Sequence, residues 1–263
     1  EKLRPDIYIS HCPERVLPGT ILNEIRNNDR VIGGISKFCS NKAMSFYLKF
    51  SKGKCIMTDS NTAELCKLVE NSYRDTNIAF ANEISIISDK FNINSKELIS
   101  IANMHPRVNI LQPGPGVGGH CIAVDPWFIV NSAKRDSKLI KTARIVNNNK
   151  TNYVIKKIFN AIKKNKSKKI LFLGLSYKAN VGDLRESPAI KIVKSISKLI
   201  NKTVYVSEPN IEKMPHELNK NKITLVDFKK GMKLCDTIVL LVSHREFLNI
   251  NFTKLKNKNF IDI

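Results

Sequence analysis

The sequence predicts an α/β protein, with parallel sheets wound by helices near both ends of the chain and a helical segment between them. Three observations predict it. From Lys169 onward, short apolar runs alternate with helical periods, the order that builds a parallel, doubly wound sheet. Near the start, residues 30–35 and 55–58 read as strands on either side of a helical stretch at 36–50, which is the crossover unit of such sheets. Between these parts, residues 61–91 keep helical character without a break and would span about 45 Å at about 1.5 Å per residue.

Each element has a local reason. Residues 7–10 alternate as a short strand and run into CPERVLPG, residues 12–19, whose prolines and glycine mark a loop. Asp59 or Ser60 can cap the long helix, and Asn94 or Ser95 starts a shorter one to about Ala102. Asp125 before Pro126 reads as an N-cap followed by proline at the first helical position. Residues 137–164 are helical, interrupted or continuous. Strands are then expected at 169–175, 203–207, 224–226, 237–243 and 260–263, and helices at 188–200 and 211–218. The chain begins at Glu1 rather than Met and ends on Ile261-Asp262-Ile263, which reads as the inside of a strand, so a piece of a longer protein is expected.

Charge and cysteine content narrow the function classes. Lys and Arg number 44 against 23 Asp and Glu, a formal charge of +21. These cations are spread along the chain among abundant Asn and Ile, a trio that AT-rich codons produce, and the local peak KKNKSKK at 163–169 reads as a solvated helix end. No basic motif is interleaved with aromatics, so nucleic acid is not an expected partner. No apolar run approaches the roughly 20 residues that cross a membrane, and no signal peptide is visible. The six cysteines have no paired spacing, which fits reduced thiols in the cytoplasm. The pairs His11-Cys12 and His120-Cys121 lack zinc spacing, and no metal is expected.

The residues with the most chemistry lie at 114–126, GPGVGGHCIAVDP. Cys121 follows four glycines crowded into six residues and precedes Asp125 by four. Glycines let a backbone turn sharply and let a ligand come close, so a thiol there can act as a nucleophile on a carbonyl. A cysteine alone is more often a buried, inert thiol, and the glycine context is what favours the reactive reading. GPGVGG formally fits G-x-G-x-x-G, but that fingerprint must follow a strand and open a helix. Here Gln112-Pro113 precedes it and Pro115 interrupts it, so the match is rejected. On the long helix, Lys67, Asn71 and Arg74 fall at i, i+4 and i+7 on one stripe, while Leu65, Leu68, Val69 and Ile84 take other faces. Two cations and an amide in line can hold an oxyanion or phosphate, or can simply be a solvated face. Lys178 follows the strand at 169–175, at the sheet edge where α/β proteins bind ligands, and Arg185 with the Ser187-Pro188 helix start adds positive potential.

Four segments together carry a resemblance: CPERVLPG, KLVENSYRDTNIAFANE (67–83), HPRVNILQPGPGVGGHCIAVDPWFI (105–129) and GLSYKANVGDLRESPA (174–189). They resemble the UDP-glucose/GDP-mannose dehydrogenase family over nearly the whole chain. The resemblance implies an oxidation of C6 of a UDP sugar from alcohol to carboxylate, using two NAD. The wording with His120 before the cysteine implies UDP-N-acetyl-D-mannosamine as substrate, with UDP-N-acetylglucosamine and UDP-glucose as alternatives. It makes Cys121 the nucleophile, Lys67 and Asn71 the oxyanion contacts, Asp125 a partner of Lys67 in moving protons, and Glu14 a base for hydrolysis. Arg74, Arg107, Gly118 and Lys178 would bind substrate, Arg107 that of a neighbouring subunit, and Arg185 would reach NAD. It further implies a remnant of a Rossmann-like NAD-binding domain at 1–58, a central helical domain at 59–165 forming a homodimer, and a truncated Rossmann-like UDP-binding domain at 166–263. The dinucleotide fingerprint of the first domain is missing, so the piece alone is expected to be inactive. An acidic residue is expected where Ser243 stands before His244.

Overall fold

The computed structural model describes residues 7–16, 20–219, 222–248 and 258–263, so the end of CPERVLPG lies outside the described residues. The chain separates into two compact units, Glu1–Tyr73 and Arg74–Ile263.

The first unit is a three-stranded sheet in the order β1-β2-β3, with β1 at Ser10–His11, β2 at Arg30–Gly34 and β3 at Cys55–Asp59. Strands β2 and β3 are parallel and joined by helix α2, Lys37–Tyr47, the predicted crossover. Ser36 starts that helix by accepting the Cys39 N–H. The strand expected at 7–10 is instead only Ser10–His11, because β1 runs antiparallel to β2 and pairs just Gly33 and Gly34. A short helix α1, Ile21–Asn27, precedes β2 and was not anticipated from the sequence.

Helix α3, Ser60–Lys90, leads out of the first unit, and α4 follows at Ser95–Ala102, capped by Asn94 through the N–H groups of Lys96 and Glu97. In the second unit, the buried positions of α3 are Asp75, Ala79, Ala81, Asn82, Ser85 and Ser88. The large apolar residues Phe80 and Ile87 are exposed. Helix α5 spans Asp125–Ser132. Its N-cap is Val124, not Asp125 as expected; Asp125 belongs to the first turn and Pro126 follows it, because the Cys121 carbonyl already accepts the Val124 and Asp125 N–H groups. Helix α6 is continuous from Lys138 to Lys164.

The remaining strands form one parallel sheet in the order β6-β5-β4-β7-β8. They are β4 (Ile170–Leu173), β5 (Val204–Ser207), β6 (Ile223–Leu225), β7 (Thr237–Leu240) and β8 (Asn259–Asp262). All four residues of β4 are buried, as a central parallel strand requires. Its side chains alternate between two cores: Ile170 and Phe172 join Val154, Ile158, Ile192 and Ile196 from α6 and α7 (Pro188–Ile200), whereas Leu171 and Leu173 join Ile238, Cys235 and Phe247. The sheet is therefore wound on both sides. The expected helix at 211–218 shrinks to α8, His216–Asn219, with Pro215 immediately before it. Helices α9 (Phe228–Leu234) and α10 (Arg245–Leu248) were not anticipated; each is too short for a periodic signal.

Candidate active site

Cys121 is an exposed free thiol on the loop between α4 and α5. That loop is held from both sides. At its entry, the Gly114 N–H donates to Asn82 Oδ1 at 3.0 Å, and Thr151 Oγ1 donates to the Pro115 carbonyl at 3.0 Å. At its exit, the Gly119 N–H donates to the Arg185 carbonyl at 3.1 Å. The glycines are what this clamp demands. Gly116 and Gly119 have φ of +140° and +84°, a region side chains rarely adopt. A Cβ at Gly118 would stand 2.5 Å from the Glu186 carbonyl oxygen and 2.7 Å from Pro188 Cδ. The space that a pyrophosphate would need beside these glycines is filled by Tyr177, Glu186 and Pro188, which agrees with rejecting the dinucleotide match.

The clamp brings Cys121 beside residues that sequence reasoning did not select. The Tyr177 ring packs against Gly119, and its hydroxyl is pushed above the ordinary tyrosine range by burial and by Asp183. Its charge also couples to Arg185 and to Cys121. Asp183 grips the Arg185 guanidinium through Nε at 3.0 Å and Nη2 at 2.6 Å, which holds the Asp183 carboxyl below its usual range. Tyr177 was legible only as the residue before Lys178 in GLSYKAN.

In the β6-β5-β4-β7-β8 sheet, connections leave β4 toward β5 on one side, and β7 lies on the other. The crevice beyond the carboxyl ends of β4 and β7 is the place where open α/β sheets take ligands. The loop after β4 carries Lys178, whose side chain is exposed and whose carbonyl accepts the Ser176 hydroxyl at 2.7 Å. The segment after β7 supplies His244, fully buried, which ties that loop down. Its Nδ1 accepts the Asn180 N–H at 2.9 Å, so its Nε2 is the donor to Glu208 Oε2 at 2.9 Å. Burial would raise the Glu208 carboxyl, but the His244 contact and the N–H groups of Leu175 and Asn210 outweigh it and lower it to about 2. The acidic partner of His244 is thus Glu208, while Ser243 is exposed.

In the first unit, Glu14 is exposed, and its carboxylate lies 3.8 Å from Arg30 Nη1. Its neighbour Arg15 makes a two-pronged contact with Glu70, at 2.7 and 3.2 Å. Glu70 lies on α3 between Lys67 and Asn71, both half-buried, so the loop carrying Glu14 is fastened to the helical turn carrying those two residues. Arg74 and Arg107 are exposed residues of the second unit, and Asp125 is half-buried one turn after Cys121. Glu14 thus shares a tethered loop–helix segment with Lys67 and Asn71; Gly118, Cys121 and Asp125 share one stretch of chain, held to Arg185 through the Gly119 N–H; and Lys178 shares the loop of Tyr177.

The site therefore has two parts: a parallel, doubly wound sheet with a crevice at its carboxyl edge, and a clamped loop presenting an exposed thiol. Three models of one family match the chain in order: the NAD binding domain of the UDP-glucose/GDP-mannose dehydrogenase family at residues 1–51, its central domain at 61–149 and its UDP binding domain at 171–263. The chain belongs to this family of NAD-dependent UDP-sugar dehydrogenases. It is 52% identical over 251 residues to the UDP-N-acetyl-D-mannosamine dehydrogenase of Campylobacter jejuni, covering 95% of this chain and 62% of that protein. It is 51% identical over 257 residues to the NDP-N-acetyl-D-galactosaminuronic acid dehydrogenase of Ralstonia solanacearum, covering 98% of this chain and 60% of that one. Among solved structures, the UDP-D-ManNAc dehydrogenase of Pyrococcus horikoshii superposes with a TM-score of 0.87 at 36% identity, covering 99% of this chain and 62% of that structure. The chain therefore spans about 60% of the length of the curated relatives it matches.

Proposed function

We propose that this chain, within a protein that includes a complete NAD-binding domain, oxidises UDP-N-acetyl-D-mannosamine at C6 to the uronate. The observation that carries the reading is Cys121, an exposed thiol on a loop clamped at Gly114, Pro115 and Gly119. In this reading the Cys121 thiol adds to the C6 aldehyde; the S–C bond forms, and the thiol proton ends on the former carbonyl oxygen. Lys67 and Asn71 stabilise the oxyanion as it develops. Once the thiohemiacetal has been oxidised, Glu14 or Asp125 takes a proton from water attacking the thioester. The C–S bond then breaks and the thiol is restored. Covalent capture keeps the aldehyde from escaping between the two oxidations. Arg74, Arg107, Gly118 and Lys178 are assigned to the sugar nucleotide.

NAD supplies the acceptor for the two hydrides that leave C6. The described residues fit only one contact to it: Arg185, a surface guanidinium steered by Asp183. The one glycine-rich stretch that could cradle a pyrophosphate is already packed against Tyr177 and Pro188. The fingerprint therefore has to come from the remainder of the NAD-binding domain, and the 263-residue chain alone should form no NADH.

A second reading, a different N-acetylated sugar nucleotide, is favoured by the Ralstonia relative, whose identity is nearly equal to that of the Campylobacter one. A panel of UDP-N-acetylmannosamine, UDP-N-acetylglucosamine, UDP-N-acetylgalactosamine and UDP-glucose, assayed with a form that includes a complete NAD-binding domain, decides between them. Two NADH per UDP-N-acetylmannosamine, with the others far slower, is the expected result. Preference for another sugar would move the assignment to it.

A further inference from the structure

Asn82 is not among the residues assigned to chemistry, yet it is fully buried and bonded at both ends of its amide. Its Nδ2 donates to Asn147 Oδ1 at 2.9 Å, and its Oδ1 accepts the Gly114 N–H at 3.0 Å. Asn147, itself 1% exposed, turns its Nδ2 to Asp75, donating to Oδ1 at 2.8 Å and to the backbone carbonyl at 3.0 Å. Arg144 Nη1 closes on the same Asp75 Oδ1 at 2.6 Å, in a pair that is 2% and 0% exposed.

Direction passes along this chain of groups. A carboxylate accepts only, so the end of the Asn147 amide facing Asp75 must be its NH2, and its oxygen must face Asn82. That forces the Asn82 NH2 toward Asn147 and leaves the Asn82 oxygen for Gly114. The buried Asp75–Arg144 pair thus sets the orientation of two amides in turn, because a flipped amide would set oxygen against oxygen between side chains that are 0% and 1% exposed.

We propose that Asn82 is a positioning residue for Cys121: its carbonyl oxygen, oriented by Asn147 and the Asp75–Arg144 pair, fixes the entry of the loop that presents the thiol. The role assigned to Cys121 in turnover rests on the proposed function; the positioning does not, and its test uses neither NAD nor sugar.

The test has two readouts on the 263-residue chain: amide exchange of Gly114 followed by NMR, and the rate of Cys121 alkylation by iodoacetamide followed by peptide mass spectrometry. In the unaltered protein the Gly114 amide should exchange slowly. Asn82→Ala should speed that exchange and change the Cys121 rate by roughly two- to tenfold, the range that loss of one internal hydrogen bond allows. Asn82→Asp, which keeps an acceptor for Gly114 but sets an oxygen against Asn147 Oδ1, should return only part of the Gly114 protection and leave the Cys121 rate between those of Asn82→Ala and the unaltered protein. Fast Gly114 exchange in the unaltered protein overturns the proposal, and this measurement needs no variant to fold. So does a folded Asn82→Ala protein that is less stable but has an unchanged Cys121 rate, since that is the behaviour of a purely structural residue. Absence of NADH formation in the sugar panel would overturn the assigned reaction and leave these readouts untouched.

Discussion

A thiol serves as a nucleophile when the backbone holds it still without covering it, and Cys121 meets both conditions. Its glycines were legible as a sign of close approach, but what approaches is protein: the Glu186 carbonyl, Pro188 and the Tyr177 ring. A sequence read in one dimension has no signal for a partner some seventy residues away. The same limit hid Glu208, whose tie to His244 holds down the loop of Lys178. Glu208 is lowered from its ordinary 4.5 to about 2 in the folded chain, so it contributes stability above the unfolded value that is lost as pH falls toward the folded one. The contribution at neutral pH is about 3 kcal/mol at about 1.4 kcal/mol per unit. Urea unfolding at pH 7 and pH 3 should show that Glu208→Gln loses less stability between the two than the unaltered protein does.

At the scale of elements, the strands and long helices were readable because their periods are strong. The helical period of 137–164 was readable, though not whether it ran unbroken as α6 does, and the apolar run of β4 was readable, though three residues too long. The seam between α3 and α6 was not readable. Hydrophobic pattern reasoning looks for an apolar stripe, and here the buried stripe of α3 is Asp75, Ala79, Asn82 and Ser85, paired with Arg144, Asn147 and Lys150, although Asp75 Oδ2 and Arg144 Nε stay without a hydrogen-bond partner among the described residues. Phe80 and Ile87 are exposed instead. A seam of this kind depends on pairing. Arg144→Met leaves Asp75 buried without its cation and should cost about 3–5 kcal/mol in thermal or urea unfolding. A loss under 1 kcal/mol would show that the pair is not what holds the seam.

At the scale of the whole molecule, the alternating strands and helices predicted a doubly wound sheet, and the order β6-β5-β4-β7-β8 with its two cores is that sheet. The family resemblance implies a homodimer, and α3 and its end leave Phe80 at 53%, Ile87 at 40% and Phe91 at 69% exposure. Isolated surface phenylalanines are common, but a helix that turns its polar face inward and its aromatic face outward is suited to a second copy. Sedimentation should give a dimer for the unaltered chain and a monomer for Phe80→Glu; an unaltered chain that stays monomeric at tens of micromolar would refute this interface.

The central claim is that Cys121 carries the covalent chemistry. The most direct measurement is turnover of UDP-N-acetyl-D-mannosamine by Cys121→Ala, made in a form with a complete NAD-binding domain. Uronate formation should fall by roughly a thousandfold or more, with UDP-sugar binding retained. Undiminished uronate formation by that variant would contradict the account.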